Sequence, residues 1–223
     1  MGAPSAAIVI PTLNSAGTLT ACLDAVAGLD WPREDLDLIV VDGGSRDDTL
    51  SLCRSHSVRL FVRAGRDAAY RRNFGAGQTD AALLLFVSPD CLVPRDFVRA
   101  AQRHLSLAQV AAVGVRGLPP HGSGSSWVQR TWAARGLTRV PDARARSLSG
   151  RMLAVRRSEF VAAGGFPENF GLLADRELLR RLAGGAERRH LIALTRADGL
   201  RLTVGRGLRD FYRAQRTLDE PPI

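Results

Sequence analysis

The chain has 223 residues, of which 45% are hydrophobic and 24% charged, and this ordinary globular composition excludes a disordered chain. No apolar run approaches the roughly 18 residues that a membrane-spanning helix needs. The N-terminal residues lack the charged region of a signal peptide, so we expect a cytoplasmic protein, with any membrane contact peripheral and electrostatic at the inner face.

The charge of the chain points to phosphate. The formal net charge is +9, and all 31 basic residues are arginine. Such a surplus favours partners that carry phosphate, such as nucleotides and anionic lipid surfaces. The arginines are scattered, with few aromatic residues beside them and no nucleic-acid-binding motif, so we predict no nucleic-acid partner. The three cysteines are far apart and odd in number, which favours buried thiols over disulfides or a zinc site.

Four short apolar runs in the first half of the chain are rich in Val, Ile and Leu and are bounded by turn signals. This pattern is typical of strands buried on both faces of a mostly parallel sheet. The runs are Ala6–Ile10, Leu36–Val41, Val58–Val62 and Ala82–Val87.

Helical patterns alternate with these strands. Apolar residues recur at helical spacing in the first connection, and Ser45 with Asp48 forms an S-x-x-D capping box that predicts the start of the second helix. The predicted helices run from a start signal at Asn14 or Ser15 to Leu29, and over 45–54, Asp67–Gly77 and Pro94–Leu105. The order β-α-β-α-β-α-β predicts half of a doubly wound α/β fold.

The second half of the chain is less regular. Val110–Val115 and Arg151–Arg156 are predicted strands, and Asp175–Ala183 is a predicted helix with its leucines facing inward. Gly117–Ser126 has the composition of a flexible loop, and residues 205–216 form a basic helical pattern. We see no linker that would divide the chain.

Polar side chains lie where the predicted strands end, at the edge where parallel α/β sheets hold their ligands. Pro11-Thr12-Leu13-Asn14 places a hydroxyl and an amide at the first strand tip, which is equally typical of an ordinary strand-to-helix turn. Asp42 at the second tip can accept hydrogen bonds from a base or a ribose, or it can fasten its own turn. Arg72 on the third helix can reach a diphosphate, or it can lie on a solvated helix face.

Taken together, these motifs resemble the family 2 glycosyltransferases of the GT-A fold. Their signature runs V-I-P-T-x-N, I-V-V-D-x-x-S-x-D-x-T and A-R-N-x-G, followed by D-x-D, G-G-F-x-E and E-D-x-x-L-x-x-R-L. The third motif is matched within Ala69–Ala76 by Arg72-Asn73-Phe74-Gly75. The other matching segments begin at Val9, Ile39, Ser88, Gly164 and Ala174. The resemblance implies a three-layer α/β/α sandwich, Rossmann-like, with a mostly parallel central sheet. It also implies one domain over 1–223, with a nucleotide-sugar half over about 1–91 and an acceptor half over about 92–223.

The resemblance assigns a nucleotide-sugar pocket to the first half. Pro11, Thr12 and Asn14 would line this pocket. Asp42 would hydrogen-bond the base, with uracil the family default and guanine its main rival, and Arg72 would face the nucleotide as well. The donor would then be a UDP-sugar or a GDP-sugar.

Two aspartates complete the implied site. Asp90 matches the second aspartate of D-x-D and would bind the nucleotide sugar through Mn²⁺ or Mg²⁺. Asp175 matches the aspartate of E-D and would be the catalytic base of an inverting displacement. Ser88 occupies the position of the first D-x-D aspartate, so we expect weak metal binding. Separately, Ala174 replaces the glutamate of E-D.

The acceptor half is less specific. Trp127 and Trp132 can stack on a sugar ring or pack the domain. A set of arginines can bind a phosphate-bearing acceptor such as a lipid phosphate, can bind the donor diphosphate itself, or can form a solvated face. The set is Arg144, Arg146, Arg201, Arg206 and Arg209. The acceptor would be a small molecule, a glycan or a lipid phosphate. The sequence does not indicate an oligomeric state.

Two other functions fit parts of the sequence. The altered D-x-D and E-D motifs are compatible with a non-catalytic module that binds nucleotide sugars. A nucleotidyltransferase on a related fold usually carries a Gly-rich loop with a basic residue after its first strand, and here that position has Pro11–Ser15. The inverting glycosyltransferase accounts for more of the motifs than either alternative.

Overall fold

The structure is a computed structural model, and it describes residues 4–115, 137–140, 151–184 and 190–196. Within these ranges the chain forms eight strands and six α-helices, with single 3-10 turns at Arg33–Asp35 and Gly171–Leu173. The strands are β1 Ala6–Thr12, β2 Leu36–Asp42, β3 Arg59–Val62, β4 Leu83–Val87, β5 Val110–Val115, β6 Leu137–Val140, β7 Met152–Arg156 and β8 His190–Arg196. The helices are α1 Ala16–Ala27, α2 Thr49–Ser55, α3 Ala68–Ala76, α4 Phe97–Leu105, α5 Arg157–Ala162 and α6 Ala174–Ala183.

The eight strands form one sheet in the order β3-β2-β1-β4-β7-β5-β8-β6. β1, β2, β3 and β4 are mutually parallel, which confirms the doubly wound half predicted from the sequence. β7 runs antiparallel between β4 and β5, and β6 runs antiparallel to β8, so six of the eight described strands point the same way. β6 and β8 were not predicted.

Helices cover both faces of the sheet. On one face α1 and α4 pack against side chains such as Ile8 and Leu85, and on the other face α3, α5 and α6 pack against Val9 and Phe86. Adjacent residues of one strand thus enter opposite cores, as expected of strands buried on both sides. The three-layer α/β/α sandwich with a mostly parallel central sheet is confirmed.

The predicted capping box is wrong. The second helix begins at Thr49, and Asp48 at its N-cap makes no side-chain hydrogen bond to the helix. The Ser45 hydroxyl instead donates to the Asp42 carboxylate, while Asp47 accepts from the Thr49 backbone N–H at 3.1 Å. The local pattern predicts that the Ser45 hydroxyl caps the helix, but this hydroxyl binds the neighbouring Asp42 carboxylate instead.

Smaller differences concern element ends. α4 begins at Phe97 and not at Pro94, and β1 continues two residues past the predicted end, through Pro11 to Thr12. The inward-facing leucines of α6 are confirmed, because Leu178, Leu179 and Leu182 are all buried.

Several predictions fall outside the described residues. These are the loop Gly117–Ser126, the helix over 205–216, and the acceptor candidates Trp127, Trp132, Arg144, Arg146, Arg201, Arg206 and Arg209.

Across the described parts of the chain, none of the helices has both the length and the apolar character to cross a bilayer.

Candidate active site

The tips of β1 and β2 meet at Thr12 and Asp42, which are register partners and are both fully buried. The Asp42 carboxylate accepts four hydrogen bonds from its own chain. Oδ1 accepts from the backbone N–H groups of Gly44 and Ser45, both at 2.8 Å, and Oδ2 accepts from Thr12 Oγ1 at 3.1 Å and from the Ser45 hydroxyl. A carboxylate offers about four acceptor positions, so this geometry supports the turn-fastening role. Recognition of a base by Asp42 stays a prediction.

Asn14 joins the two turns. It has a φ of 48°, in the left-handed region where asparagine is favoured among non-glycine residues. Its N–H donates to Ser45 Oγ at 2.8 Å, and its Oδ1 accepts from the Arg46 N–H at 2.9 Å. Pro11 is buried in β1 opposite Val41. The residues predicted to line a nucleotide pocket therefore lie together at the carboxyl edge of the sheet.

Arg71 lies against this edge and was missed in the sequence analysis. A Cβ at Gly43 would stand 2.5 Å from Arg71 Nη1, so a side chain there would displace the guanidinium from its position over the turn. Arg71 is 7% exposed, and its Nη1 donates to the carbonyl of Arg66. Burial lowers the pKa of Arg71, while Asp42 and Asp67 act in the opposite direction. The sequence contains one indication of this role, since Arg71 directly precedes Arg72, the arginine of the R-N-x-G motif.

Arg72 contacts the predicted catalytic base. Its Nη1 donates to Asp175 Oδ1 at 2.7 Å, and the side chains of Arg72 and Asp175 are 11% and 24% exposed. The Arg72 guanidinium also lies 5.0 Å from the ring centre of Phe166. The structure thus brings together two predicted site residues from opposite halves of the chain, and contact of Arg72 with a nucleotide stays a prediction.

Asn73 and Gly75 are the other two defined residues of the R-N-x-G motif, and each has a packing role. Asn73 hydrogen-bonds both backbone polar groups of Phe166. Nδ2 of Asn73 donates to the Phe166 carbonyl at 2.8 Å, and Oδ1 of Asn73 accepts from the Phe166 N–H at 2.9 Å. Gly165, at a φ of 69°, leaves room for this contact. Any side chain at Gly75 would collide with Val9, so glycine lets α3 lie directly on the sheet. The motif therefore docks the segment that leads into Asp175.

Asp90 follows β4 and forms an ion pair with Arg151, which was also missed. Arg151 Nη2 donates to Asp90 Oδ2, and the two side chains are 22% and 30% exposed. Burial alone would lower the pKa of Arg151, but the neighbouring Cys91 and Asp90 outweigh it and raise that pKa. The two residues are 61 positions apart, and β7 brings them together because it runs antiparallel to β4.

The residues around Asp90 do not fit a resident divalent cation. Asp90 is the one carboxylate that remains of the D-x-D pattern, and a guanidinium already neutralises it. Within the described ranges, no group of three or more His, Cys, Asp or Glu side chains is placed to hold a metal ion. Magnesium can be held by one carboxylate together with substrate phosphates, but a fixed positive charge on that carboxylate opposes it.

Relatives of this chain act on sugars. Over 117 residues it is 28% identical to glycosyltransferase AglE of Haloferax volcanii, covering 50% of this chain and 38% of that protein. Over 96 residues it is 36% identical to a PGL/p-HBAD biosynthesis glycosyltransferase of Mycobacterium tuberculosis, covering 40% of this chain and 37% of that protein. The matches thus span less than two fifths of the length of these relatives.

Solved structures share the fold. The mannosyltransferase PcManGT from Pyrobaculum calidifontis, in complex with GDP-Man and Mn²⁺, matches with a TM-score of 0.70 and 21% identity over 100% of this chain and 66% of its own. Residues 1–349 of Staphylococcus aureus TarS, in complex with UDP-GlcNAc, match with a TM-score of 0.64 and 19% identity over 96% of this chain and 65% of that one. At these identities the likeness establishes a GT-A fold.

A family profile agrees with the fold and the motifs. The profile described as glycosyl transferase family 2 matches residues 7–159, which is more than half of the 223 residues. The chain belongs to glycosyl transferase family 2.

Proposed function

We propose that this protein transfers a sugar from a nucleoside-diphosphate sugar to an acceptor hydroxyl, with inversion at the anomeric carbon and with Asp175 as the base. One observation carries the proposal. Consecutive residues of α3 reach the donor turn and the base, because Arg71 lies over Gly43 while Arg72 pairs with Asp175 at 2.7 Å. One turn of α3 thus contacts both the turn after β2, where the donor would be held, and the Asp175 carboxylate.

The proposed reaction needs a base beside the acceptor hydroxyl. Asp175 accepts the proton of the acceptor hydroxyl while the hydroxyl oxygen attacks the anomeric carbon. The bond from that carbon to the phosphate oxygen breaks, and its electron pair leaves with the nucleoside diphosphate. A single displacement from the face opposite the leaving group inverts the configuration. Arg72 orients the carboxylate through the ion pair, and Phe166 packs against the guanidinium.

The donor and the acceptor are proposed from chemistry and from the relatives. GDP-Man and UDP-GlcNAc occupy the two solved structures, which supports a GDP-sugar or UDP-sugar donor. A relative named for PGL/p-HBAD biosynthesis supports an acceptor of the cell envelope. With a net charge of +9, a phosphate-bearing lipid acceptor met at the cytoplasmic membrane surface is compatible with this proposal.

The divalent cation that the family resemblance implies stays a prediction outside this proposal, because Arg151 already neutralises Asp90. Mn²⁺ accompanies GDP-Man in the Pyrobaculum structure, and such an ion supplies positive charge to a departing diphosphate. For this chain the ion would have Asp90 as its carboxylate ligand. Since Arg151 already pairs with Asp90, no step above depends on the ion.

The test has a binding arm and a turnover arm. UDP and GDP are titrated into the purified protein while its melting temperature is followed, since a ligand of the folded state raises that temperature. Release of UDP or GDP from donor sugars is then measured with a panel of acceptors. We expect Asp175→Asn to retain nucleotide binding and to lose turnover by about 100-fold or more.

Glu177→Gln is the matched control for Asp175→Asn. Glu177 lies on the same first turn of α6 and pairs with Arg180 at 2.7 Å and Arg181 at 2.8 Å, away from Arg72. We expect near-normal turnover from this variant. Near-normal turnover from Asp175→Asn would remove Asp175 from the mechanism.

The second candidate is a non-catalytic module that binds nucleotide sugars. Ser88 and Ala174, which stand where the family pattern has acids, favour it. This module would show a melting-temperature shift with UDP or GDP but neither hydrolysis nor transfer with any acceptor. Wild-type turnover above that of Asp175→Asn excludes the non-catalytic module.

A further inference from the structure

At the end of β4, an acid missing from the family pattern lies beside a cation on the neighbouring strand. The family pattern has an aspartate at the position of Ser88. β7 pairs antiparallel with β4 through Val87 and Met152, and one step beyond this pair the Ser88 N–H donates to the Arg151 carbonyl at 2.7 Å. Residues directly opposite each other on neighbouring strands project from the same face. The chain therefore lacks one acid where the opposite strand supplies a cation.

The exchange changes the charge of the site. Two aspartates of a D-x-D motif carry −2, whereas Asp90 and Arg151 sum to zero. The adjacent thiol adds nothing, because burial, and then Asp90, raise the pKa of Cys91 to about 12. A site of charge −2 repels a diphosphate until a divalent cation enters it, whereas a neutral site with an aimed guanidinium attracts the same diphosphate directly.

Arg151 is placed and equipped to bind phosphate. A guanidinium has five N–H donors in a planar fork that matches two phosphate oxygens. Asp90 takes a hydrogen bond from Nη2, and Nε is buried with no hydrogen-bond partner within the described part of the chain. The side chain is 22% exposed, so it is held in place and still reachable from the carboxyl edge of the sheet.

We propose that Arg151 takes the place of a divalent cation at the donor diphosphate, so that this protein binds its nucleotide without metal. The inference rests on the proposed function, because it takes the ligand to be a nucleoside diphosphate. Arg151 donates to the phosphate oxygens, which gain negative charge as the bond to the sugar breaks. Asp90 acts as a positioning residue that holds the guanidinium.

The first experiment needs no variant. Affinities of the full chain for UDP and GDP are measured by calorimetry in EDTA and in Mn²⁺. We expect the better of the two nucleotides to bind with the same affinity in both buffers. Arg151→Gln should then weaken that binding about 10- to 100-fold in both buffers, because a hydrogen bond to a charged group is lost. Arg151→Lys keeps the charge without the planar fork, so its affinity should lie between those of the wild type and Arg151→Gln.

The second experiment restores the acid. Ser88→Asp combined with Arg151→Gln rebuilds two carboxylates without a guanidinium between them. We expect this double variant to bind the nucleotide only when Mn²⁺ is present, which is a gain of metal dependence that general damage would not produce. Arg99→Gln is the control, since Arg99 also pairs with an aspartate, Asp30 at 2.9 Å, but does so on the exposed side of α4.

Each outcome decides the inference. Wild-type binding that requires Mn²⁺ overturns it and leaves the proposed function standing. Wild-type affinity in Arg151→Gln, with the melting temperature of the free protein unchanged, also overturns it. If Arg151→Gln does not fold, the wild-type affinities in EDTA and in Mn²⁺, together with the affinity of Arg151→Lys, still test the inference. Failure of the wild type to bind any nucleotide in either buffer overturns the proposed function and this inference together.

Discussion

Arg72 and Asp175 are 103 positions apart in sequence, and their side chains meet at 2.7 Å in a contact that is mostly shielded from water. The family signature presents them as separate motifs with separate roles. The structure joins them into one unit, and Asn73, the neighbour of Arg72, fixes the backbone that leads to Asp175.

This pairing gives a prediction for Arg72→Lys. Lysine keeps the charge but loses the planar fork, so Asp175 is oriented less well. We expect the turnover rate to fall about 10- to 100-fold, because small displacements of a catalytic group are costly, while the affinity for UDP or GDP changes little. Turnover and calorimetric affinity are measured on the same preparations. A loss confined to nucleotide affinity would instead place Arg72 on the nucleotide.

Asp90→Asn separates two roles for Asp90 by the sign of its effect. If Asp90 holds a metal ion, the substitution weakens nucleotide binding in Mn²⁺. If Asp90 only positions Arg151, the substitution removes a negative charge near the diphosphate, and an asparagine oxygen can still accept from the guanidinium. We expect affinity for UDP or GDP equal to or tighter than that of the wild type, measured by calorimetry in EDTA.

Two glycine-to-alanine substitutions should change stability in opposite directions. A Cβ at Gly75 would collide with Val9, whereas a Cβ at Gly17 would meet nothing within 4 Å. We expect Gly75→Ala to lower the free energy of unfolding by about 1–3 kcal/mol through overpacking. Gly17→Ala in α1 should raise it by up to about 1 kcal/mol. Urea unfolding of both variants checks this, and equal effects would contradict the close packing of α3.

Alkaline pH should destabilise the fold through Cys53. This thiol is buried, and burial, together with the charge of Asp42, raises its pKa from 9.0 to about 11. The unfolded chain therefore loses the proton first, so the contribution of Cys53 to stability is complete below pH 9 and is lost as the pH rises to about 11.

Cys53→Ala isolates that contribution. Because other groups also titrate at alkaline pH, the quantity to compare is the difference in unfolding free energy between wild type and variant at each pH. We expect this difference to shift against the wild type between pH 9 and about 11. A difference that stays constant across that range would show that the Cys53 thiol ionises alike in both states.

The sequence predicted the first four strands because each is a short apolar run, and such a run has few other structures open to it. β1, β2 and β4 are largely buried on both faces, as predicted, whereas β3 at the edge of the sheet is partly exposed. β6 and β8 were missed since Leu137–Val140 has apolar residues only at its two ends, which is not a strand pattern, and His190–Arg196 is flanked by charge. The antiparallel direction of β7 leaves no trace in local pattern, because it is decided by the packing of distant segments.

The candidate site shows the same division. Position within a motif indicated Thr12, Asp42, Asp90 and Asp175, and the structure places all four in ordered, partly or fully buried surroundings. Their partners could not be predicted. Arg151 reaches Asp90 only through the pairing of β4 with β7, and the capping pattern at Ser45 failed because a buried carboxylate outcompeted the helix for one hydroxyl.

The turns after β1 and β2 are tied together by hydrogen bonds of the protein itself, through Asp42, Asn14, Ser45 and Asp47. The two turns are therefore preorganised, and a donor nucleotide bound there, as proposed, would have little loop entropy to remove. Association should be governed by diffusion and charge rather than by a slow rearrangement. Because the Asp42 oxygens already accept four hydrogen bonds, we expect a nucleotide at these turns to be held through its phosphates more than through the edge of its base.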